Sequence, residues 1–197
     1  MLPPLFKKII NFFNKFPEIG SRQAIRFFFW LLKQNQEEKL EFLENLKALL
    51  ENTKFCKSCF FPSLEELCPV CSDPKRLNEI IMIVARETDV LSLETARIFK
   101  GKYFVLGGLI LPFEEKNLIK ERLKKLEERL KKEKEIKEII IGLPFTREAE
   151  PTLKYLENLL KKYDKIKITK LAKGIPVGGE IEFTDPETLK SALEQRK

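Results

Sequence analysis

Cys56-Lys57-Ser58-Cys59, followed after eight intervening residues by Cys68-Pro69-Val70-Cys71, is the stretch that organises this chain. These two Cys-x-x-Cys pairs hold all four cysteines, and the chain has no histidine. Each pair forms a tight knuckle that aims two sulfurs at one point, and two such pairs match a tetrahedral four-thiolate zinc site. With no imidazole in the chain, Cys56, Cys59, Cys68 and Cys71 must all be ligands. Two disulfides, or two redox pairs, are the competing reading, and a reducing cytoplasm disfavours disulfides. A site with four protein ligands has no open coordination position. One Zn2+ per chain, structural in role, is therefore expected, its binding energy serving as folding energy for a segment too short for its own core.

Upstream of the cysteines the pattern is helical. Leu5, Ile9, Phe12, Phe13 and Phe16 recur at helical spacing within residues 3–16. Pro17-Glu18-Ile19-Gly20-Ser21 reads as a short turn with Ser21 as helix cap. Residues 23–33 read as a second helix with Ala24, Phe27, Phe28, Leu31 and Leu32 on its buried side. Residues 37–52 read as a third, amphipathic through Leu40, Phe42, Leu43, Leu46, Leu49 and Leu50.

Downstream, the period changes. Ile80 to Val84 reads as a buried strand, residues 91–99 as a helix and Tyr103 to Leu106 as a second strand ending at Gly107-Gly108. Residues 117–134 form a highly charged helix with Leu118, Leu123, Leu126 and Leu130 on one face. Ile139 to Gly142 is a third strand, residues 150–162 a helix, Ile166 to Thr169 a fourth strand, and Pro186 to Glu194 a last helix. Alternating strand and helix argues for a mainly parallel α/β sheet. The fold class is thus multidomain, α and α/β. Residues 1–53 are expected to form a helical domain, 54–77 a four-cysteine finger, 78–170 the α/β domain and 171–197 a C-terminal Gly-rich segment with its helix.

Composition narrows the function classes. The 197 residues are 43% hydrophobic and 34% charged, as in a folded soluble protein, and no apolar run reaches bilayer length. The apolar N-terminus is broken by Lys7, Lys8 and Lys15 and has no small-residue cleavage site, so a signal peptide is not expected. A cytoplasmic protein is the expectation. The net charge of +7 permits a polyanionic partner without requiring one. The lack of histidine excludes Ser-His-Asp and Cys-His catalysis and leaves acid–base chemistry to carboxylates, Lys or Tyr.

Two further stretches carry chemistry. Phe16-Pro17-Glu18-Ile19-Gly20-Ser21-Arg22-Gln23-Ala24-Ile25-Arg26 places a Gly-bearing turn between two helices, an arrangement able to present backbone N–H groups to a phosphate. Arg22 and Arg26, four apart, share one helix face and would flank a DNA backbone; an ordinary helical hairpin with two exposed arginines is the equal alternative. Ala172-Lys173-Gly174-Ile175-Pro176-Val177-Gly178-Gly179-Glu180-Ile181-Glu182 demands special backbone geometry, but it lacks the Lys-Ser/Thr ending of a P-loop. A structural or subunit-contacting loop is the better reading.

In this order, the hairpin, the four cysteines with Cys68-Pro69-Val70-Cys71-Ser72-Asp73-Pro74-Lys75-Arg76, Tyr103-Phe104-Val105-Leu106-Gly107-Gly108, and Gly174 to Glu182 resemble the RecR family of recombination mediators over nearly the full length. The resemblance implies a helix-hairpin-helix domain, a zinc finger and a Toprim-type α/β domain without catalytic turnover. It implies a dimer or ring-like tetramer that clamps single- and double-stranded DNA without reading sequence. It also implies work with RecO-type and, in some settings, RecF-type repair proteins in loading recombinase, with no membrane involved. The family's DNA-contacting basic positions fall on Arg22 and Arg26.

The departures are as informative. Glu18 stands where the family's hairpin carries its first glycine, which calls for a backbone avoiding positive φ and sets a negative charge near phosphate. Ala85 stands where a Toprim fold keeps its first glutamate, in Val84-Ala85-Arg86-Glu87-Thr88-Asp89. Glu148 and Glu150 retain the second acidic cluster, and with Asp89 they are either vestigial or a partner-docking face. The Gly-rich loop after the second strand is shortened to Leu109-Ile110-Leu111-Pro112-Phe113. Two alternatives to a DNA clamp follow: a Mg-dependent Toprim-family enzyme of nuclease or primase type, which Ala85 opposes, and a zinc-containing protein-interaction module that does not bind DNA.

Overall fold

The computed structural model describes residues 2–111 and 117–196, in two compact units, residues 1–53 and 54–197. Pro112 and Phe113 of the shortened loop lie outside the described residues.

The first unit is helical. Helix α1 (Pro4–Phe13) opens on a proline, whose fixed φ and missing N–H suit a first helical position. Helix α2 (Ser21–Lys33) follows the turn, and α3 (Gln36–Asn52) is held at its start by a capping box between Asn35 and Glu38. The cap of α2 is Gly20, in extended conformation; Ser21 is already helical and makes no side-chain cap bond. Glycine loses little there, because it meets no penalty as a cap and leaves the N–H groups open.

The core of this unit is small. Ile10, Ala24 and Phe28 are buried, with Phe6, Phe13 and Ile19 packed around them. The other apolar residues of the helical pattern do not follow them inside. Phe27 and Leu32 of α2 are exposed, as are Leu5, Phe12 and Phe16 near α1, and α3 buries no residue at all. Periodicity reports that a helix has an apolar face; it does not report that the same chain covers it.

The second unit starts with a two-stranded antiparallel ribbon, β1 (Lys54–Phe55) and β2 (Pro62–Ser63), then a single turn, α4 (Pro69–Ser72). The main sheet follows: β3 (Leu77–Val84), α5 (Glu87–Ala96), β4 (Gly101–Val105), α6 (Asn117–Lys132), β5 (Glu138–Gly142), α7 (Glu150–Leu160) and β6 (Lys167–Lys170), with α8 (Pro186–Glu194) last. Strand order is β4-β3-β5-β6, every neighbour parallel. Strand β3 is central, and its run Ile81-Met82-Ile83-Val84 is buried on both faces, as a parallel sheet with covered faces requires. One face packs Ile81, Ile83, Phe104 and Ile139 against Leu123, Leu126 and Leu130 of α6 and Leu156 and Leu160 of α7. The other packs Met82, Val84, Tyr103 and Val105 against Val90 of α5, with Phe61 and Val70 of the cysteine segment alongside.

Helix α5 begins four residues before the apolar pattern places it and ends before Phe99. Arg86 N–H donates to Asp89 Oδ2 at 2.8 Å, which fixes the start, and Arg97 adopts a left-handed φ of 55°, which ends it. In α6, Ile119 rather than Leu118 is buried. The free edge strand β6 carries Lys167 and Lys170, which guard against edge-to-edge pairing.

A polar cluster ties the cysteine segment to this sheet. Arg76 Nη1 donates to Glu94 Oε1 of α5 at 2.9 Å and to the Phe99 carbonyl at 3.0 Å, and the Tyr103 hydroxyl donates to Glu94 Oε1 at 2.6 Å. Burial pushes the Glu94 carboxyl up, but the bonds from Arg76 and Tyr103 outweigh it and hold it below the usual range. A carboxylate with a depressed pKa adds stability that is present above its unfolded pKa and lost as pH falls through its folded one. Glu94→Gln should therefore lower unfolding free energy by roughly 1.5–3 kcal/mol at neutral pH. In urea melts, the gap from wild type should shrink below about pH 4; a gap that persisted there would contradict the assignment.

Candidate functional site

The four cysteine side chains converge. Cys56, Cys59, Cys68 and Cys71 are buried, in no disulfide, and their sulfurs lie within 4.8 Å of one another, with those of Cys59 and Cys68 3.5 Å apart. A tetrahedron with metal–sulfur bonds of ~2.3 Å has sulfur–sulfur edges of ~3.8 Å, so the cluster has the size of a four-thiolate metal site. Local structure explains the convergence. The Phe60 N–H donates to the Cys56 carbonyl at 2.9 Å to close the first knuckle, with Phe60 itself at φ 65°, and Ser72 N–H to the Cys68 carbonyl at 3.0 Å closes the second. Crowded sulfurs resist losing successive protons: hydrogen bonding to Cys56, then to other sulfurs, and burial push the Cys59 thiol up, and bonding to Cys56 is likewise the largest cause raising Cys71. A divalent cation is the group that lets all four be thiolates together. Among the described residues this is the one group of three or more Cys, Asp or Glu side chains positioned to hold a metal ion.

The first cysteine knuckle is built into the edge of the sheet. Strand β4 is an end strand, and its outward Val105 N–H donates to the Cys59 carbonyl at 2.8 Å. Its outward carbonyls are taken by two buried arginines of α6. Arg122 Nη1 donates to the Val105 carbonyl at 3.1 Å, and Arg129 Nη1 reaches the Tyr103 carbonyl at 3.5 Å and the Ser58 carbonyl, inside the first knuckle, at 3.1 Å. The Arg122 guanidinium lies 5.0 Å from the Phe55 ring centroid and 5.1 Å from that of Phe60, and 3.5 Å from the Glu87 carboxylate. The charge pattern of α6 suggests a solvated face and gives these two residues no role. Their signal in the sequence is spacing: seven apart, each directly precedes a buried leucine, Leu123 and Leu130, and so borders the apolar seam.

At the C-terminal ends of the parallel strands, where open α/β sheets bind ligands, the acidic residues form no group of three or more that could hold a metal ion among the described residues. Ala85 is buried, and its carbonyl accepts from Gly108 N–H at 2.8 Å. Asp89 caps α5 through Arg86 N–H. Glu148 is exposed, and bonds to its own backbone N–H and to the Thr146 hydroxyl hold its carboxyl below the usual range. Glu150 is exposed in the first turn of α7. Buried Arg122, which donates from Nη1 to the Val105 carbonyl at this end of β4, has an Nε that meets no acceptor among the described residues.

In the helical unit, Arg22 and Arg26 are exposed on α2. The unit's charge is sharply divided: residues 2–34 hold six Lys and Arg against Glu18 alone, while α3 holds two Lys against five Glu. The turn does not avoid positive φ. Glu18 sits at φ 63°, so the hairpin keeps a left-handed residue there despite the side chain. Ile19 is half-buried against the small core, and its N–H donates to the Phe16 carbonyl at 3.1 Å; together these hold the turn. The C-terminal motif turns at Gly178, φ 85°, with Gly179 N–H donating to the Pro176 carbonyl at 2.8 Å, and it leaves Val177, Ile181 and Phe183 in solvent. No helix among the described residues is long and apolar enough to cross a membrane.

Comparison with known proteins agrees with this layout. Residues 79–172 match the family model of the Toprim domain, and residues 174–197 match the model "RecR, C-terminal". The chain is 34% identical to the recombination protein RecR of Syntrophotalea carbinolica, covering 98% of this chain and 96% of that protein. It is 38% identical to the RecR of Bifidobacterium adolescentis, over 97% and 94%, and 40% identical to a Prochlorococcus marinus RecR, over 96% and 94%.

The strained turn yields a stability test. A non-glycine residue in the left-handed region costs roughly 1–2 kcal/mol, while glycine adds about 0.5–1 kcal/mol of unfolded-state entropy. Glu18→Gly should thus leave the helical unit as stable as wild type or stabler by about 1 kcal/mol, read by circular dichroism melts. A clear loss of stability would show that the Glu18 side chain does more than occupy the turn.

Proposed function

The chain belongs to the RecR family, and from that premise we propose how it acts as a recombination mediator in DNA repair: it binds DNA through the α1–α2 hairpin and turns over no substrate. The observation that carries this is the charge division of the helical unit, with six cations against one acid on and around α1 and α2. Arg22 and Arg26, exposed one turn apart beside the open N–H groups at Gly20, neutralise phosphates without reading base edges. Both single and double strands are bound on this reading, because phosphate is common to both.

The four cysteines hold one Zn2+ as a structural ion; four sulfurs with no other donor type favour a soft tetrahedral ion. The apolar surface left open on α1, α2 and α3, and Val177, Ile181 and Phe183 at the other end of the chain, support assembly of several copies into a dimer or ring. Such a ring would convert weak phosphate contacts into a lasting hold. Asp89, Glu148 and Glu150 are offered to RecO-type and RecF-type partners rather than to Mg2+, since Ala85 removes the first carboxylate a two-metal site requires. The protein works in the cytoplasm, on the nucleoid.

Fluorescence anisotropy of labelled duplex DNA, with Mg2+ and over a range of salt, tests the hairpin. Arg22→Ala/Arg26→Ala should weaken binding and make the slope of log K against log salt shallower by about 2, one for each phosphate no longer neutralised. The DNA should remain intact. An unchanged slope would move the binding surface elsewhere, and cleavage by protein free of contaminating nuclease would restore the enzyme reading.

A further inference from the structure

Helix α2 shows solvent two faces of different chemistry. At 100° per residue, Ile25, Phe29 and Leu32 fall within an arc of about 60°, and this stripe is purely apolar. On the other side of the buried line of Ala24 and Phe28, Gln23, Arg26, Phe27 and Trp30 fall within an arc of about 100°. These four line a groove of about 480 Å³. Trp30 is 62% exposed and Phe27 43% exposed. Phe27 is steadied from below by the Phe13 ring of α1, centroids 6.5 Å apart. Arg26 stands one turn before Trp30, with Arg22 one turn before that, and α2 carries no acidic residue.

A large aromatic left in water beside guanidinium groups is costly for a surface meant only for water. The purely apolar stripe suits a second protein copy; the mixed one does not, because packing it against protein would bury Arg26 and Gln23 with it. Cationic and aromatic side chains side by side on one face are what unpaired nucleotides require: cations track the phosphates while the rings stack on bases, whatever the base. A duplex offers the same phosphates but keeps its bases stacked inside.

We propose that Gln23, Arg26, Phe27 and Trp30 form a stacking platform for single-stranded nucleic acid, with Trp30 as the ring on which a base lies. This rests on the reading of α2 as a DNA-contacting helix and adds to it a preference: phosphate contacts serve both forms, and the platform rewards only the unpaired one.

Trp30 is the only tryptophan in the chain, so intrinsic emission reports on this residue alone. The full chain is titrated with oligothymidylate and with a duplex of equal length, following emission and anisotropy together, and mass by light scattering. Oligothymidylate should quench Trp30 and the duplex should bind without quenching it. Trp30→Leu should weaken oligothymidylate binding roughly 5- to 150-fold, the equivalent of one stacked base, with the salt slope and duplex affinity kept. Trp30→Phe should retain most of the single-strand affinity. If anisotropy shows single-strand binding that Arg22→Ala/Arg26→Ala reduces, while Trp30 emission is unmoved and Trp30→Leu binds normally, the platform is wrong and the phosphate reading stands. If neither DNA binds at low salt, both fail. If emission instead follows protein concentration in step with mass and ignores oligothymidylate, the groove is covered by a second copy and the proposal is overturned.

Discussion

The outer edge of β4 is the constraint from which the rest of the larger unit follows. A parallel sheet whose end strand is unpaired exposes a row of backbone donors and acceptors. Here the Val105 N–H is met by the Cys59 carbonyl, the Val105 carbonyl by Arg122 and the Tyr103 carbonyl by Arg129. The cysteine segment is therefore the cover of the sheet's edge, and its shape depends on four sulfurs meeting at one point. Arg129 bonds both the knuckle at Ser58 and the strand at Tyr103, so a change in one is passed to the other. Burying Arg122 is expensive; its aromatic neighbours Phe55 and Phe60, the Val105 carbonyl and the Glu87 carboxylate offset that cost, each cation–π contact adding about 0.5–2 kcal/mol.

The same arrangement bears on the proposed reading of the α/β unit as a binding module. At the C-terminal end of the sheet, Ala85 follows β3 and is buried, and the Arg122 guanidinium lies 3.5 Å from the Glu87 carboxylate. Asp89 is occupied in capping α5, and Glu148 in bonds to its own turn. In the helical unit the division of labour is by face and by helix: cations on α1 and α2, acids on α3, and apolar surface that one copy of the chain leaves open.

Much of this was legible in the residues. The Cys-x-x-Cys spacing announced the cluster that the structure closes, and the runs at Ile80, Tyr103 and Ile139 announced three strands through their apolar residues, while the run at Ile166 overlaps the exposed edge strand β6. The last helix, read as Pro186 to Glu194, has those bounds in the structure. What escaped were features that apolar spacing does not carry, some decided by contacts distant in sequence and some by local bonds. Arg122 and Arg129 look like members of a solvated charge run until β4 is placed beside them. Phe27 and Leu32 have the spacing of core residues but remain exposed among the described residues. Asp89 starts α5 early through a local bond that the apolar period does not contain, and Glu18 holds a left-handed backbone because the turn around it is fixed by Ile19.

The claim on which the account depends is that a metal centre is a folding element of the α/β unit. Metal content by mass spectrometry of the purified protein, paired with thermal melts before and after stripping with a strong chelator, tests it directly. The account predicts one Zn2+ per chain, and a melt of the stripped protein that is lower and broader because the edge of β4 has lost its cover. A stripped protein with an unchanged transition, or a well-folded preparation without metal, would contradict it.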